Sequence, residues 1–288
     1  MIFLFLSVIT SVIAVVFFKL FDKFKVNTLE AIVTNYITAA LLGFYLSQKP
    51  TNSLLFWQQD WFVYTLVLGF LFISVFSTIA YSTQKIGVSI TMVASKLSVA
   101  IPIMFAVLFF NEEVGLYKLA GIILSMIAVY FISKTGKYTA TNQSKLWIIP
   151  LIVFVGSGFT DAVMNALNEK FIPQFDTSYV LSFAFLTAFI FGSIILFLRN
   201  LKTHRSVEIK SIGWGIALGV PNYFCMFFLL KALTTFAEAS FVLPVNNIAI
   251  VMVSALVGTL IFKETLTKLN IIGLILAVVS ILLLSLNL

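Results

Sequence analysis

Charged and amide side chains inside long apolar segments are the residues of this chain that could do chemistry. Asp161 lies in the apolar stretch 156–165, with Asn165 one helical turn further along and Asn168 nearly two. An ionised side chain in an apolar medium costs at least about 2.5 kcal/mol, so it usually faces a cavity or a charged partner. Residues at this spacing share roughly one face of a helix. Two interpretations stay open: a site for a proton or a cationic solute, and a buried structural pair or a position nearer an interface.

Lys96 is the one clear cation inside such a segment, within the stretch 94–98. Three roles are open to it. It could pair with Asp161 and neutralise both charges, or bind an anionic group such as a carboxylate or phosphate. It could also extend its long stem so that the ammonium reaches an aqueous interface.

Three asparagines follow prolines within apolar segments. Asn222 follows Pro221 directly, and Asn246 and Asn247 come just after Pro244. Proline removes a backbone donor and frees a carbonyl, which then needs another partner. Amides beside such a position suit the binding of a neutral or zwitterionic solute. The alternative is a hydrogen bond between helices, worth about 0.6 kcal/mol each.

The composition indicates which elements must position these side chains. Hydrophobic residues make up 61% of the chain, charged residues 10%, and the mean hydropathy is +1.10. Soluble domains are nearer 45–50% apolar and about 25% charged. Apolar runs of membrane-spanning length recur along the chain, so we expect most of it to lie in a lipid bilayer. The net charge is +7, and the lysines and arginines lie mainly in connections that are too short to form a nucleic-acid-binding surface.

Hydropathy predicts ten membrane-spanning helices in an all-α integral membrane fold. The first is expected to be a retained span rather than a cleaved signal peptide. A polar connection, 133–146, separates a first half, 1–137, from a second half, 146–288. The predicted spans are 2–18, 29–46, 61–82, 88–110, 115–133, 147–167, 178–198, 212–231, 236–262 and 270–287.

The two halves repeat each other. Glu112 corresponds to Glu264 and Gly121 to Gly273, and both pairs are 152 positions apart. In each half the glutamate precedes the last apolar segment and the glycine lies at its start. Further correspondences at nearly the same offset are Gly69 with Gly219, Tyr64 with Trp214, and Gly43 with Gly192. Because five spans is an odd number, the second copy must enter the membrane from the opposite side. Inverted repeats of this kind are a known architecture of alternating-access carriers.

The basic residues are distributed unevenly between the two sides. Of eighteen lysines and arginines, Lys96 lies within a span and four lie in the even-numbered connections: Lys49, Lys118, Lys170 and Lys231. The other thirteen lie in the odd-numbered connections. The positive-inside rule therefore predicts cytoplasmic odd-numbered connections and both termini outside.

Ten spans, a five-plus-five repeat and an acidic turn before the last helix of each half resemble the drug/metabolite transporter superfamily, EamA-like branch. The motif residues are Pro102, 111–113 and Gly121 in the first half, and 262–267 and Gly273 in the second. The second turn is close to the family pattern Gly-Glu-x-Leu-Thr, with Lys263 in place of glycine. Val251 stands where the family's proline is expected in the second half.

The resemblance implies a secondary transporter that exports a small organic metabolite or drug by alternating access. It implies a cavity lined by helices 1, 3, 4, 6, 8 and 9, two halves that rock about it, and cytoplasmic termini. We expect an integral protein of a bacterial inner (plasma) membrane, as a monomer or homodimer. Its expected partners are bilayer lipid, a small solute and, with coupled transport, protons. No nucleic acid, cofactor or metal is expected, since no enzyme or ligand motif is present.

The expected binding residues are thus Asp161, Lys96, Asn165, Asn222, Asn246 and Asn247. Glu112 and Glu264 are expected to cap or ion-pair the interfacial turns rather than bind solute. A passive facilitator is the alternative function. A membrane-embedded enzyme is a third, which would need paired acids or histidines on one face.

Overall fold

The computed structural model describes residues 2–47, 56–104, 115–133, 146–171, 176–203, 206–235 and 239–285. Within these ranges the regular structure is helical, and one short 3-10 turn, Phe56–Gln58, precedes the third long helix. The helices are α1 Ile2–Lys23, α2 Thr28–Leu46, α3 Asp60–Lys85, α4 Val88–Leu97, α5 Leu116–Ser133, α6 Ile148–Phe171, α7 Thr177–Thr203, α8 Ile209–Thr235, α9 Ala239–Leu260 and α10 Lys268–Ser285.

Within the described ranges, ten helices correspond one to one with the ten predicted spans, which confirms the predicted fold class. Nine of the helices in the described ranges are long and apolar enough to cross a membrane, and α4 is the shorter one. Helices suit this composition because lipid offers no partner for backbone N–H and C=O groups, which must therefore bond within the segment.

The fourth helix is interrupted, where the sequence predicts one continuous span. α4 ends at Leu97, residues 98–99 form a turn, and helical residues resume at 100. Pro102 accounts for the break because it has no N–H to give the carbonyl four residues earlier. The Ser98 carbonyl instead accepts from the Ile101 N–H at 2.9 Å. Pro221 and Pro244 lie within α8 and α9 without ending them.

The repeated glycines lie where a helix of one repeat approaches a helix of the other. A Cβ added to Gly43 of α2 would collide with the Ser182 side chain of α7. A Cβ on its counterpart in α7, Gly192, would lie 2.8 Å from the Val33 side chain of α2. The two copies of this glycine therefore serve one symmetric contact, between α2 and α7.

The last helices of the two repeats meet in the same reciprocal way. A Cβ on Gly121 of α5 would lie 2.8 Å from Leu284 of α10, and one on Gly273 of α10 would lie 2.6 Å from Ile132 of α5. These motif glycines let α5 and α10 approach closely, which is how small residues promote helix association in lipid.

The two largest apolar cores among the described residues each mix the two repeats. One is built by α1, α2, α3, α7 and α8, and includes the buried side chains of Phe18, Tyr36 and Phe185. The other is built by α4, α5, α6, α9 and α10, and includes Leu97 and Val251. The repeats are thus interleaved, so neither half of the sequence forms a core by itself.

The alternating helices give the bundle two distinct ends. We call the basic end the one at which α1, α3 and α9 end and α2, α4 and α10 begin. Its connections are the odd-numbered ones that hold most of the lysines and arginines. The terminal end is the opposite one, at which α1 begins and α10 ends.

Candidate functional site

A cavity of about 300 Å³ lies at mid-depth between helices of both repeats. Side chains from α2, α3, α4, α6, α7, α8 and α9 line it, and most of them are apolar or aromatic. The lining extends toward the terminal end through Leu167, Val180, Leu233 and Leu243, each within a few residues of that end of its helix. Such a space is large enough for a small organic molecule.

Five of the six predicted binding residues line this cavity: Asp161, Lys96, Asn165, Asn222 and Asn247. The sixth, Asn246, is on the adjoining face of α9, where its side chain is only 2% exposed. Its Oδ1 has no hydrogen-bond partner among the described residues. One residue of offset along a helix turns a side chain by about 100°, which separates Asn246 from Asn247.

Asp161 is held by one contact from the interrupted helix. The Ser98 hydroxyl lies 2.8 Å from Asp161 Oδ2, and Ser98 itself is fully buried. One turn away, the Ser95 and Ser157 hydroxyls lie 3.2 Å apart and link the same two helices. Asp161 and Asn165 both remain exposed within the cavity. The carboxylate is thus anchored on one side and accessible on the other.

Lys96 faces the same cavity without an ion pair. Its ammonium has no carboxylate oxygen within 4.0 Å among the described residues, whereas Lys19 lies at that distance from Glu264 at the basic end. Lys96 is half-buried and near enough to attract the Asp161 carboxylate electrostatically. The cavity therefore presents an acid and a base from opposite repeats, and neither neutralises the other by direct contact.

Asn222 brings an unused donor to the cavity wall. Its side chain is 7% exposed, and its Nδ2 has no acceptor among the described residues. Its backbone carbonyl accepts from the Cys225 thiol at 3.1 Å. A buried amide donor without a partner costs about 1–3 kcal/mol, which a bound solute or water can recover.

The structure adds polar cavity residues that the sequence did not single out: Ser95, Ser157, Thr160 and Tyr36 line the wall, and Ser98 lies behind Asp161. One signal was available for Ser98, since it precedes Pro102 by four residues and so carries the carbonyl that loses its helical donor to proline.

The helices that form the wall differ in part from those implied by the resemblance. α3, α4, α6, α8 and α9 contribute as expected, whereas none of the lining residues belongs to α1. The valines Val8, Val12 and Val15 of α1 instead pack in an apolar cluster with α4 and α9. Tyr36 of α2 and Phe185 of α7 occupy the wall in addition.

At the basic end, Glu264 closes the connection between α3 and α4. Its carboxylate accepts from the Val88 N–H at 2.6 Å, the Ser89 N–H at 3.1 Å and the Ser89 hydroxyl at 2.8 Å. The helix that it caps, α4, belongs to the other repeat. Lys19 of α1 lies 4.0 Å from the same carboxylate. The repeat partner, Glu112, lies outside the described residues.

The backbone around Glu264 is shaped to admit this carboxylate. A Cβ on Gly87 would lie 2.7 Å from Oε1, and one on Gly258 would collide with Oε2. Gly87 has φ +131°, which side-chain-bearing residues rarely adopt. Lys263 has φ +53°, in the left-handed region, at the position where the family pattern has glycine.

A second carboxylate at the basic end also caps a helix of the other repeat. Glu30 of α2, buried to 2% exposure, accepts from the Glu208 N–H just before α8 at 3.0 Å and from the Asn27 amide at 2.7 Å. The Arg199 guanidinium donates to Asn27 Oδ1 at 3.1 Å. These four polar groups thus satisfy one another across the repeat boundary.

Interleaved inverted repeats and membrane-length helices around a charged cavity define a multi-pass integral membrane protein. The sequence model of the EamA-like transporter family matches residues 1–134 and 148–286. The chain therefore belongs to the EamA-like transporter family, which confirms the predicted family and its transporter class. As a membrane transporter, it contacts bilayer lipid and small solutes.

Two further comparisons found similar proteins. An uncharacterized protein of Haemophilus influenzae (strain Rd) is 29% identical over 275 residues, covering 93% of this chain and 92% of its own. A solved crystal structure superposes with a TM-score of 0.58 over 96% of this chain and 95% of its own. Its identity to this chain is 11%, so it supports the fold alone.

Proposed function

We propose that this protein is a secondary transporter that exports a small organic metabolite or drug across a bacterial inner membrane by alternating access. The observation that carries the proposal is the cavity, which holds Asp161 and Lys96 unpaired between the two repeats. Charged groups inside a membrane cost free energy, so those that persist there mark solute or ion pathways.

The chemistry of the wall describes the solute. An acid, a base and the amides of Asn165, Asn222 and Asn247 surround a space whose other walls are apolar and aromatic. A solute with a polar, zwitterionic or charged head and an apolar body matches that distribution. A volume of about 300 Å³ suits a small molecule rather than a peptide chain or lipid.

The difference between the two ends supports alternating access. The cavity lining extends toward the terminal end, while the basic end is joined by the Glu264 cap on α4 and the Glu30 cap on α8. Transport requires a second state in which the basic-end contacts open. Because the two largest apolar cores each mix the repeats, we propose that these two cores move against each other across the smaller clusters that join them, rather than the halves 1–137 and 146–288.

Asp161 is the proposed coupling group. It is accessible in the cavity, it has one recorded hydrogen bond, and it has Lys96 nearby. Exchange of a proton on this carboxylate changes the net charge of the cavity by one unit. Binding of a solute and binding of a proton would then compete or cooperate through that charge.

The test is flux in proteoliposomes that contain the purified full-length protein, with a panel of amino acids, nucleosides, amines and drugs. We expect at least one solute to accumulate when a pH gradient is imposed, and Asp161→Asn to remove the pH dependence. Equilibration without accumulation would make the protein a passive facilitator. Unchanged pH dependence in Asp161→Asn would overturn the coupling role.

We further propose that the basic end faces the cytoplasm, following the distribution of lysines and arginines. This places both termini outside. A topology reporter fused after Leu288 tests the orientation, because a cytoplasmic signal from that reporter would reverse it.

A further inference from the structure

The Ser98 hydroxyl lies between two acceptors and can serve only one of them. Its oxygen is 2.8 Å from Asp161 Oδ2 and 2.6 Å from the carbonyl oxygen of Ser95. A hydroxyl has one hydrogen to donate and two lone pairs to accept with. The same three atoms therefore support two hydrogen-bond arrangements without any movement of an oxygen.

The protonation of Asp161 selects between these arrangements. The ionised carboxylate is an acceptor only, so the Ser98 hydroxyl donates to it. After a hydronium ion in the cavity gives its proton to Asp161 and leaves as water, the new carboxylic O–H donates to Ser98 Oγ. The Ser98 hydrogen then turns to the Ser95 carbonyl, and no covalent bond changes except the O–H bonds of that transfer.

The position of Ser98 gives this exchange a structural consequence. The turn at residues 98–99 is where Pro102 has already removed one hydrogen bond from α4. Ser95 and Ser98 flank Lys96 in the chain, and Ser95 also contacts Ser157 of α6. A side-chain donor that alternately joins and leaves a backbone carbonyl competes with helical bonding at this weakened point.

We propose that Ser98 is a positioning residue that couples the protonation of Asp161 to the turn in α4 beside Lys96. One side chain would thereby link the acid in one repeat to the base in the other. The inference rests on the proposed function in one respect, that Asp161 exchanges a proton within the cavity. It does not depend on the identity of the solute.

The charged and titratable groups that face Asp161 across the cavity are few. They are Lys96 on α4, Tyr36 on α2 and Cys225 on α8. The lining residues from α3, α7 and α9 include no titratable group. Among the described lining residues Asp161 is the one carboxyl, so Asp161→Asn isolates its contribution to any pH response.

The experiment follows the α4 turn directly, without transport. Val99 lines the cavity beside Ser98, and Val99→Cys in a Cys225→Ser background gives one thiol reporter. Labelling by a water-soluble maleimide is measured in the full-length protein at about pH 5.5 and about pH 8. These two values are chosen so that a carboxyl in an apolar cavity changes its protonation between them. The rates are divided by those of Leu243→Cys on α9, which removes the pH dependence of the thiol reaction.

We expect the normalised rate to change by about threefold or more between the two pH values, as a shift between two populated states would give. Ser98→Ala and Asp161→Asn should both abolish the change. Ser98→Thr should keep it and Ser98→Val should lose it, and this pair matches in shape and differs in the hydroxyl. The pair therefore replaces Ser98→Ala if that variant fails to fold.

Three outcomes would overturn the inference. A pH-independent parent rate means that the turn does not respond. A response lost in Asp161→Asn but kept in Ser98→Ala and Ser98→Val excludes the serine and leaves Asp161 coupling intact. A pH response that persists in Asp161→Asn overturns the roles of both Asp161 and Ser98. Flux in proteoliposomes is measured separately, so a failure of transport is distinguishable from a failure of the serine link.

Discussion

The basic end and the cavity each hold a carboxylate, and the two differ in how completely they are satisfied. Glu264 accepts three hydrogen bonds, with a side chain only 12% exposed. Asp161 accepts one, from Ser98, and stays exposed to the cavity. A carboxylate has about four acceptor positions. The saturated group holds helices of the two repeats together, and the unsaturated group keeps capacity for a proton or solute.

The same contrast separates Lys19 at the basic end from Lys96 in the cavity. Lys19 at the basic end donates to the Thr83 carbonyl at 3.2 Å and lies 4.0 Å from Glu264. Lys96 in the cavity has neither kind of contact among the described residues. Substitutions at the basic end should therefore change stability, and substitutions in the cavity should change solute binding. Four predictions test this division, in order of decreasing effect.

Glu264→Gln should destabilise the protein by about 2 kcal/mol, because the amide turns a donor toward the N–H groups of Val88 and Ser89. Thermal unfolding in detergent measures the loss, and hydrogen exchange over residues 86–91 should become faster. Glu208→Gln is the control, since that side chain is exposed at the same end. Equal effects of the two substitutions would contradict the capping role.

Lys96→Met should raise the half-saturating solute concentration about tenfold, the effect of losing one charge-assisted hydrogen bond of about 1.4 kcal/mol. Unfolding temperature should stay constant or rise, because an unpaired charge leaves the bundle. Lys19→Met is the matched variant and should lower stability while leaving the solute concentration unchanged. The reverse pattern would mean that Lys96 is structural.

Gly215→Ala should destabilise the contact of α8 with α2 by about 1 kcal/mol through overpacking. The added Cβ would lie 2.5 Å from the Ala31 carbonyl oxygen, which belongs to the backbone and cannot rotate away. Gly213→Ala is the control two residues earlier, because no atom lies within 4 Å of its Cβ position. Thermal unfolding of both variants should show a loss for Gly215 alone.

Lys263→Gly should stabilise the protein by about 0.5 kcal/mol, since glycine adopts positive φ without the steric cost that lysine bears. Lys23→Gly, at the last residue of α1, should give no such gain and should cost up to about 0.5 kcal/mol, because glycine loses more backbone entropy on folding. Chemical or thermal unfolding of the two variants distinguishes the left-handed position from an ordinary helical one. A stability loss in Lys263→Gly would show that the lysine side chain itself is needed.

The features that depend only on the local sequence, namely the helices and their boundaries in the membrane, are the most predictable. The chain is helical because lipid forces backbone groups to bond locally, so hydropathy alone gives the spans and the repeat gives their inversion. The break in α4 was missed although its cause, Pro102, is visible in the sequence. Proline alone does not decide the outcome, because Pro221 and Pro244 lie within α8 and α9 without ending them.

Side-chain direction was less predictable than depth. Asn246 and Asn247 have the same sequence signal, yet only Asn247 lines the cavity. Which of two adjacent residues faces inward depends on the rotation of α9 about its axis. That rotation is set by the packing of α9 against α4 and α1. These helices are distant from α9 in the chain, so the sequence around the two asparagines does not reveal them.

The sequence by itself determined ten membrane helices, their inverted duplication, and an intramembrane acid and base. Each follows from chain-local physics, namely the cost of polar backbone and of charge in lipid. Only the tertiary structure decided that the repeats interleave, that Glu264 caps a helix of the other repeat, and that Ser98 stands between Asp161 and the α4 backbone. These are contacts between residues far apart in the chain, such as 175 positions for Ser89 and Glu264, and they exist only once the helices have packed.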